Sequence, residues 1–89
     1  MTIVIFNENK EIGAFVWEAA EDFSEIKDRR FELPKMTAVE IESMTDLSVR
    51  SKILLSGVAG AVWQCVCDNY PFATSEAINF IRFEIIEED

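Results

Sequence analysis

Residues 53–67, ILLSGVAGAVWQCVC, contain no charged side chain. A helix that is apolar all round has to be covered on more than one side. The rest of the chain must therefore be arranged about this run. Thr45 or Ser48 offers an N-cap in front of it. As a helix, the run reaches only about 22 Å at about 1.5 Å per residue, short of a hydrocarbon layer of about 30 Å. Lys52 and Asp68 place charge at its two ends, so a membrane span is rejected. Ser56, Gly57, Ala59, Gly60 and Ala61 are small and let another backbone approach closely. That backbone could belong to a sheet, to another helix or to the same helix of a second copy. The run is the expected centre of the fold.

Residues 2–6, TIVIF, are β-branched and aromatic, which predicts a buried strand ending at the polar NENK. Beyond it, Ile12, Phe15, Val16, Ala19, Ala20, Phe23 and Ile26 recur at helical spacing. Glu11, Glu18, Glu21, Asp22, Glu25 and Asp28 gather on the other side of the same wheel. Gly13 and the β-prone AFVW favour a different start, a hairpin turning at NENK, with the helix beginning near Glu18. Either reading keeps an acidic helix face from Glu18 onward. Lys27, Arg29, Arg30 and Lys35 are expected to close that helix.

Residues 30–33 and 36–43 read as extended pieces, the second with Val39 and Ile41 on one side and Glu40 and Glu42 on the other. Pro34 and Lys35 between them suit a tight hairpin. Asp68, Asn69, Tyr70 and Pro71 end the central helix, and Thr74 or Ser75 begins a helical turn. Residues 79–86 read as a strand with Ile81, Phe83 and Ile85 on one face, followed by a solvated tail. The expected architecture is α+β. A small, mainly antiparallel sheet of three to four strands packs against one buried apolar helix, with a second, acidic amphipathic helix at its flank. The two terminal strands are candidates to pair with each other.

With 89 residues the chain supports one domain, 1–89, and one core. An apolar content of 49% in so small a chain leaves apolar surface for a partner or a second copy. The net charge of −9 repels nucleic acid and anionic lipid and attracts basic proteins. MTIVIFNENK lacks the basic start of a signal peptide, which predicts a cytoplasmic protein. Cys65 and Cys67 diverge on a helix and are expected as two buried free thiols.

Catalysis finds little support, because the chain has no His and neither thiol has an activating base nearby in sequence. No catalytic residue, metal ligand or cofactor is expected. Two Cys fall short of a zinc site, the three Gly form no phosphate loop, and no calcium-loop pattern occurs. The acidic helix face remains, with Trp17 beside it. Trp17, Glu18, Glu21, Asp22, Glu25 and Asp28 form the candidate partner-binding set, Trp17 serving as an anchor or else covering the edge of the core.

The leading expectation is a small stoichiometric inhibitor whose carboxylates occupy the groove of a basic, nucleic-acid-acting protein. Two settings suit it. One is a phage or plasmid anti-defence protein of anti-restriction or anti-CRISPR type; the other is an immunity protein or antitoxin of a nuclease toxin. The alternative is a homodimeric structural or adaptor module with the apolar helix, residues 52–67, as its seam.

Overall fold

A computed structural model describes residues 1–18, 24–70 and 78–86. Strands β1 (Thr2–Asn7) and β2 (Lys10–Val16) form a hairpin, followed by a short β3 (Arg30–Glu32) and a 3-10 turn at Leu33–Lys35. Helices α1 (Ala38–Glu42) and α2 (Val49–Asn69) come next, and β4 (Ile81–Ile86) closes the sheet. The strands lie in the order β2-β1-β4-β3, and every pairing is antiparallel. The α+β architecture expected from the sequence is therefore present. The two terminal strands do pair, as its two central members.

Their central place follows from composition. Ile3, Val4 and Ile5 are all buried, so β1 needs cover on both faces and neighbours on both sides. In β4 the alternation is regular, with Ile81, Phe83 and Ile85 facing inward. Ile3 lies opposite Ile85 and Ile5 opposite Phe83, while Phe31 of β3 stacks on Phe83 at 5.3 Å between ring centres. These side chains meet the inner stripe of α2, formed by Leu55, Val58, Ala59, Val62 and Val66. Ile26, Leu33, Ile41 and Leu47 extend the same core.

Gly13, which looked out of place in a helix, belongs to β2 beside an irregular register. Gly13 pairs with Ile5 and Glu11 with Phe6, leaving Ile12 looped out as a bulge. The Tyr70 hydroxyl, just past the end of α2, donates to the Ile12 carbonyl. A Cβ on residue 13 would stand 3.0 Å from the Tyr70 oxygen, so glycine makes room for this contact. Residues 11–17 are thus strand and not helix up to Val16. The backbone pairing continues through Trp17, whose N–H donates to Met1 O at 2.9 Å.

Four expectations need correction. Residues 36–43 are not a strand. They hold α1, capped by Thr37, whose Oγ1 accepts from the Glu40 N–H at 3.2 Å. The hairpin expected at Pro34 and Lys35 is the 3-10 turn, which leads into that helix. The two thiols are free but not both buried. Side chains two apart on a helix point in nearly opposite directions, so Cys65 is half-buried and Cys67 exposed. The acidic helix from Glu18 falls largely on residues 19–23, outside the described residues, and its expected final part, 24–28, is a series of turns. The helical turn at Thr74 or Ser75 and the tail 87–89 also lie outside them.

Glycine substitutions in α2 check this packing. A Cβ at Gly60 meets nothing within 4 Å, whereas one at Gly57 lies 3.4 Å from the Trp17 ring. Gly60→Ala should stabilise the helix by about 1 kcal/mol. In dilute solution that raises Tm by roughly 4 to 8 °C. Gly57→Leu should displace the indole and cost about 1 to 3 kcal/mol. Thermal melts of the two variants should move in opposite directions.

Candidate protein-interaction surface

The N-terminus of α2 shows how one of the expected binding residues is used. Its first turn contains Arg50 and Lys52 and no acidic residue, the unfavourable sign for the positive end of a helix. Ser48 caps it by accepting from the Ser51 N–H at 3.2 Å. The missing negative charge comes from Glu25, far away in sequence. Its Oε2 accepts from the Ser48 N–H at 3.2 Å, from Ser48 Oγ at 2.7 Å and from the buried Ser51 hydroxyl. These bonds, Ser51 first and then the Ser48 side chain and backbone, hold the Glu25 carboxyl below its usual range.

Glu25 was expected on an open helix face, but it is bound to the protein's own helix terminus. The other described members of the expected set also differ from a helical ridge. Trp17 is half-buried, packed against the core with its ring beside Gly57, so it covers the core edge. Glu18 is exposed just beyond β2. Asp28 is exposed in a turn at φ 61°, a conformation that Asp tolerates better than most residues, and its N–H donates to Ile85 O at 2.6 Å. Glu21 and Asp22 lie outside the described residues.

Three of the four basic residues expected to close the acidic helix pair with other carboxylates. Arg29 Nη1 is 3.0 Å from Asp46 Oδ2, Arg30 Nε is 3.4 Å from Glu84 Oε2, and Lys35 Nζ is 2.9 Å from Glu32 Oε2.

A different surface emerges on the outward side of α2. Val49, Ile53, Ser56, Gly60, Trp63 and Cys67 recur every three or four residues and share about a third of the helix circumference at roughly 100° per residue. All six are classed as exposed; Val49 retains 72% of its accessibility, Ile53 69% and Trp63 45%. None is charged, nor are Gly57 and Gln64 on the same side. Helix α1 borders the N-terminal half of this face. Lys52 Nζ donates to the Glu42 carbonyl at 3.0 Å and ties the two helices together.

Between them lies an open cavity of about 260 Å³, lined by Ala38, Ile41 and Glu42 on one side and Val49, Lys52, Ile53 and Ser56 on the other. Val39, elsewhere on α1, is 77% exposed. The sequence indicated that residues 52–67 were apolar on every side, but not which side the sheet would cover. Val39 was missed because Glu40 and Glu42 alternate with Val39 and Ile41 as in a strand. The signal available was Thr37-x-x-Glu40, a helix-start pattern.

No protein-family model matches the chain, and comparison with curated proteins and with solved structures yields no match. Among the described residues, no helix is long and apolar enough to cross a membrane, and no group of three His, Cys, Asp or Glu could hold a metal ion.

The cap at Glu25 has a pH signature. A carboxyl held below its ordinary value in the folded state adds stability above that value, and the contribution disappears as pH falls through the folded-state value. Glu25→Gln should therefore melt below the parent protein at neutral pH. The gap should narrow as the medium is acidified below the ordinary carboxyl range. A gap that persists unchanged in acid would show that the carboxylate charge does not hold this terminus.

Proposed function

We propose that the protein is a non-catalytic binding module that docks onto another polypeptide through the outward face of α2 and the adjoining edge of α1. The observation that carries this reading is the exposure of Val49, Ile53 and Trp63 on an uncharged helix face in a chain of net charge −9. An apolar side chain left in water forfeits roughly 1.5 to 3 kcal/mol relative to full burial. Covering these three, already partly shielded by the helix, contributes on the order of 4 to 6 kcal/mol before the costs of association. That is enough to drive docking when shape and polar groups fit. The groove between α1 and α2 adds a recess for a partner side chain.

A second reading keeps the sequence expectation of an acidic inhibitor of a basic, nucleic-acid-acting protein, in an anti-defence or an immunity setting. It is favoured by the pairing of Arg29, Arg30 and Lys35 with the protein's own carboxylates, which leaves the surplus acids facing outward. On that reading Glu18 and Asp28 contribute to the surface, and Glu25 does not.

Two variants separate the readings. Ile53→Glu alters an exposed position and should leave folding within about 0.5 kcal/mol of the parent. It should abolish capture of the partner on immobilised protein. The paired change Glu18→Lys with Asp28→Lys should matter little on the first reading. On the second it should remove the complex, and moderate salt should elute it from the parent protein. Capture unaffected by Ile53→Glu would sink the first reading.

A further inference from the structure

Strand β2 is an edge of the sheet, and its pairing with β1 fixes which of its backbone groups are left over. Met1 and Trp17 exchange both possible bonds: the Trp17 N–H donates to Met1 O at 2.9 Å, and the Met1 amino group donates to Trp17 O at 3.2 Å. In an antiparallel ladder such pairs alternate with pairs that exchange none. Val16 opposite Thr2 and Ala14 opposite Val4 are of the second kind, so their N–H and C=O groups turn outward. Among the described residues nothing pairs with this side of β2. The Ile12 carbonyl is taken by the Tyr70 hydroxyl, so the open stretch begins past the bulge.

The side chains along this edge form one row. Thr2, Val4 and Phe6 alternate with the core residues Ile3 and Ile5 and so face away from α2. Val16, Ala14 and Glu11 lie opposite them, and Glu18 continues the row two residues beyond Val16. Glu11, Ala14, Val16 and Glu18 are all exposed. The bulge is what puts Glu11 in the row, since Ile12 is the extra residue. A strand laid along this edge therefore meets uncharged side chains in the middle and a carboxylate toward each end. Among the described residues no cation pairs with Glu11 or Glu18. Lys10, opposite Asn7, points to the other face.

We infer that the open edge of β2 accepts an extended segment of another polypeptide as a fifth strand, with a basic residue at each end of the segment and uncharged residues between them. The outward N–H and C=O groups of Ala14 and Val16 supply the ladder bonds, as in other cases of strand addition to a free sheet edge. Opposite charges across a strand pair attract, which selects Lys or Arg opposite Glu11 and Glu18. Those two positions of the added segment are roughly six residues apart, and the positions facing Ala14 and Val16 fall between them on the same face. The pattern reads the same in either chain direction. It does not match β2 itself, because a second copy brings its own Glu11 and Glu18 to this edge, and two chains of net charge −9 repel. Exposed charge on an edge strand guards it against pairing with its own kind, and here it leaves a basic strand as the match. This surface belongs to the sheet and is separate from the outward face of α2.

The test is a titration of the isotope-labelled protein, followed through its backbone amide resonances, with the capped peptide KTVTVTK at up to about 1 mM. The Ala14 and Val16 amides should shift and reach a plateau. Replacing both Lys of the peptide by Glu should abolish the shifts. Glu18→Lys, at an exposed position, should weaken binding of the original peptide by roughly threefold, the size of one cross-strand charge pair. Backbone geometry is tested by N-methylation. Methyl groups on the two Val nitrogens, which face β2, should abolish binding, whereas methyl groups on the Thr nitrogens, which face away, should not. Equal binding of the two methylated peptides would show charge attraction without strand addition and would overturn the inference. So would the absence of a plateau, shifts confined to α2, or Ala14 and Val16 shifts that follow protein concentration alone and thus report a second copy at the edge.

Discussion

The sheet covers α2 along one side, and most of the fold is arranged to provide that cover. Leu55, Val58, Val62 and Val66 are fully buried against Ile3, Ile5, Phe83 and Ile85, which project from the two central strands. Pairing β1 with β4 brings the chain's most apolar strands together under the helix, and the shorter β3 is left at an edge. A two-layer fold can cover a helix from one direction only. Because residues 53–67 are uncharged all the way round, this architecture necessarily leaves uncharged surface on the far side. The exposed face is therefore a consequence of how few layers 89 residues can build.

The orientation of α2 on the sheet is fixed at both ends by contacts from elsewhere in the chain. At the start, Glu25 supplies the negative charge that the helix's own first turn lacks and joins residues 24–28 to Ser48 and Ser51. At the end, Tyr70 reaches across to the bulge at Ile12, a contact that requires the bare Gly13. The flank is held by Lys52 on the last carbonyl of α1, where positive charge suits the negative end of a helix. Trp17 closes the opposite edge over Gly57. Two residues that looked available for a partner when the chain was read as a string, Trp17 and Glu25, are therefore occupied in holding the helix in place.

This explains how far the sequence could be read. Features carried by local periodicity were legible: the strand at residues 2–6, the alternating strand at the C-terminal end and the long helix, whose cap is Ser48, one of the two candidates, Thr45 and Ser48, that the sequence offered. Features decided by tertiary contact were not. From Glu11 onward a helical wheel and a hairpin turning at NENK both stood open on paper, and hydrogen bonding to β1 decides for the hairpin in residues 10–16. Glu25 resembles its acidic neighbours in sequence, and only the fold brings it to a helix terminus. Helix α1 was misread because a five-residue helix is too short for its period to show, and alternation over the same residues imitates a strand. There the capping residue was a better guide than the pattern of burial, since a hydroxyl placed to bond an N–H three residues on reports backbone geometry directly.

The two electrostatic features of the chain, its large negative charge and its neutral helix face, act together. A field of one sign discourages approach by most acidic partners and by other copies over most of the surface. On the outward face of α2 that penalty is smallest, because Val49, Ile53, Ser56, Gly60, Trp63 and Cys67 carry no charge. Distance also helps. Charges more than about 10 Å apart are largely screened at moderate ionic strength, so the face feels mainly the charges nearest to it. Apolar contact then supplies the attraction, and the burial of Val49, Ile53 and Trp63 by a partner is its source.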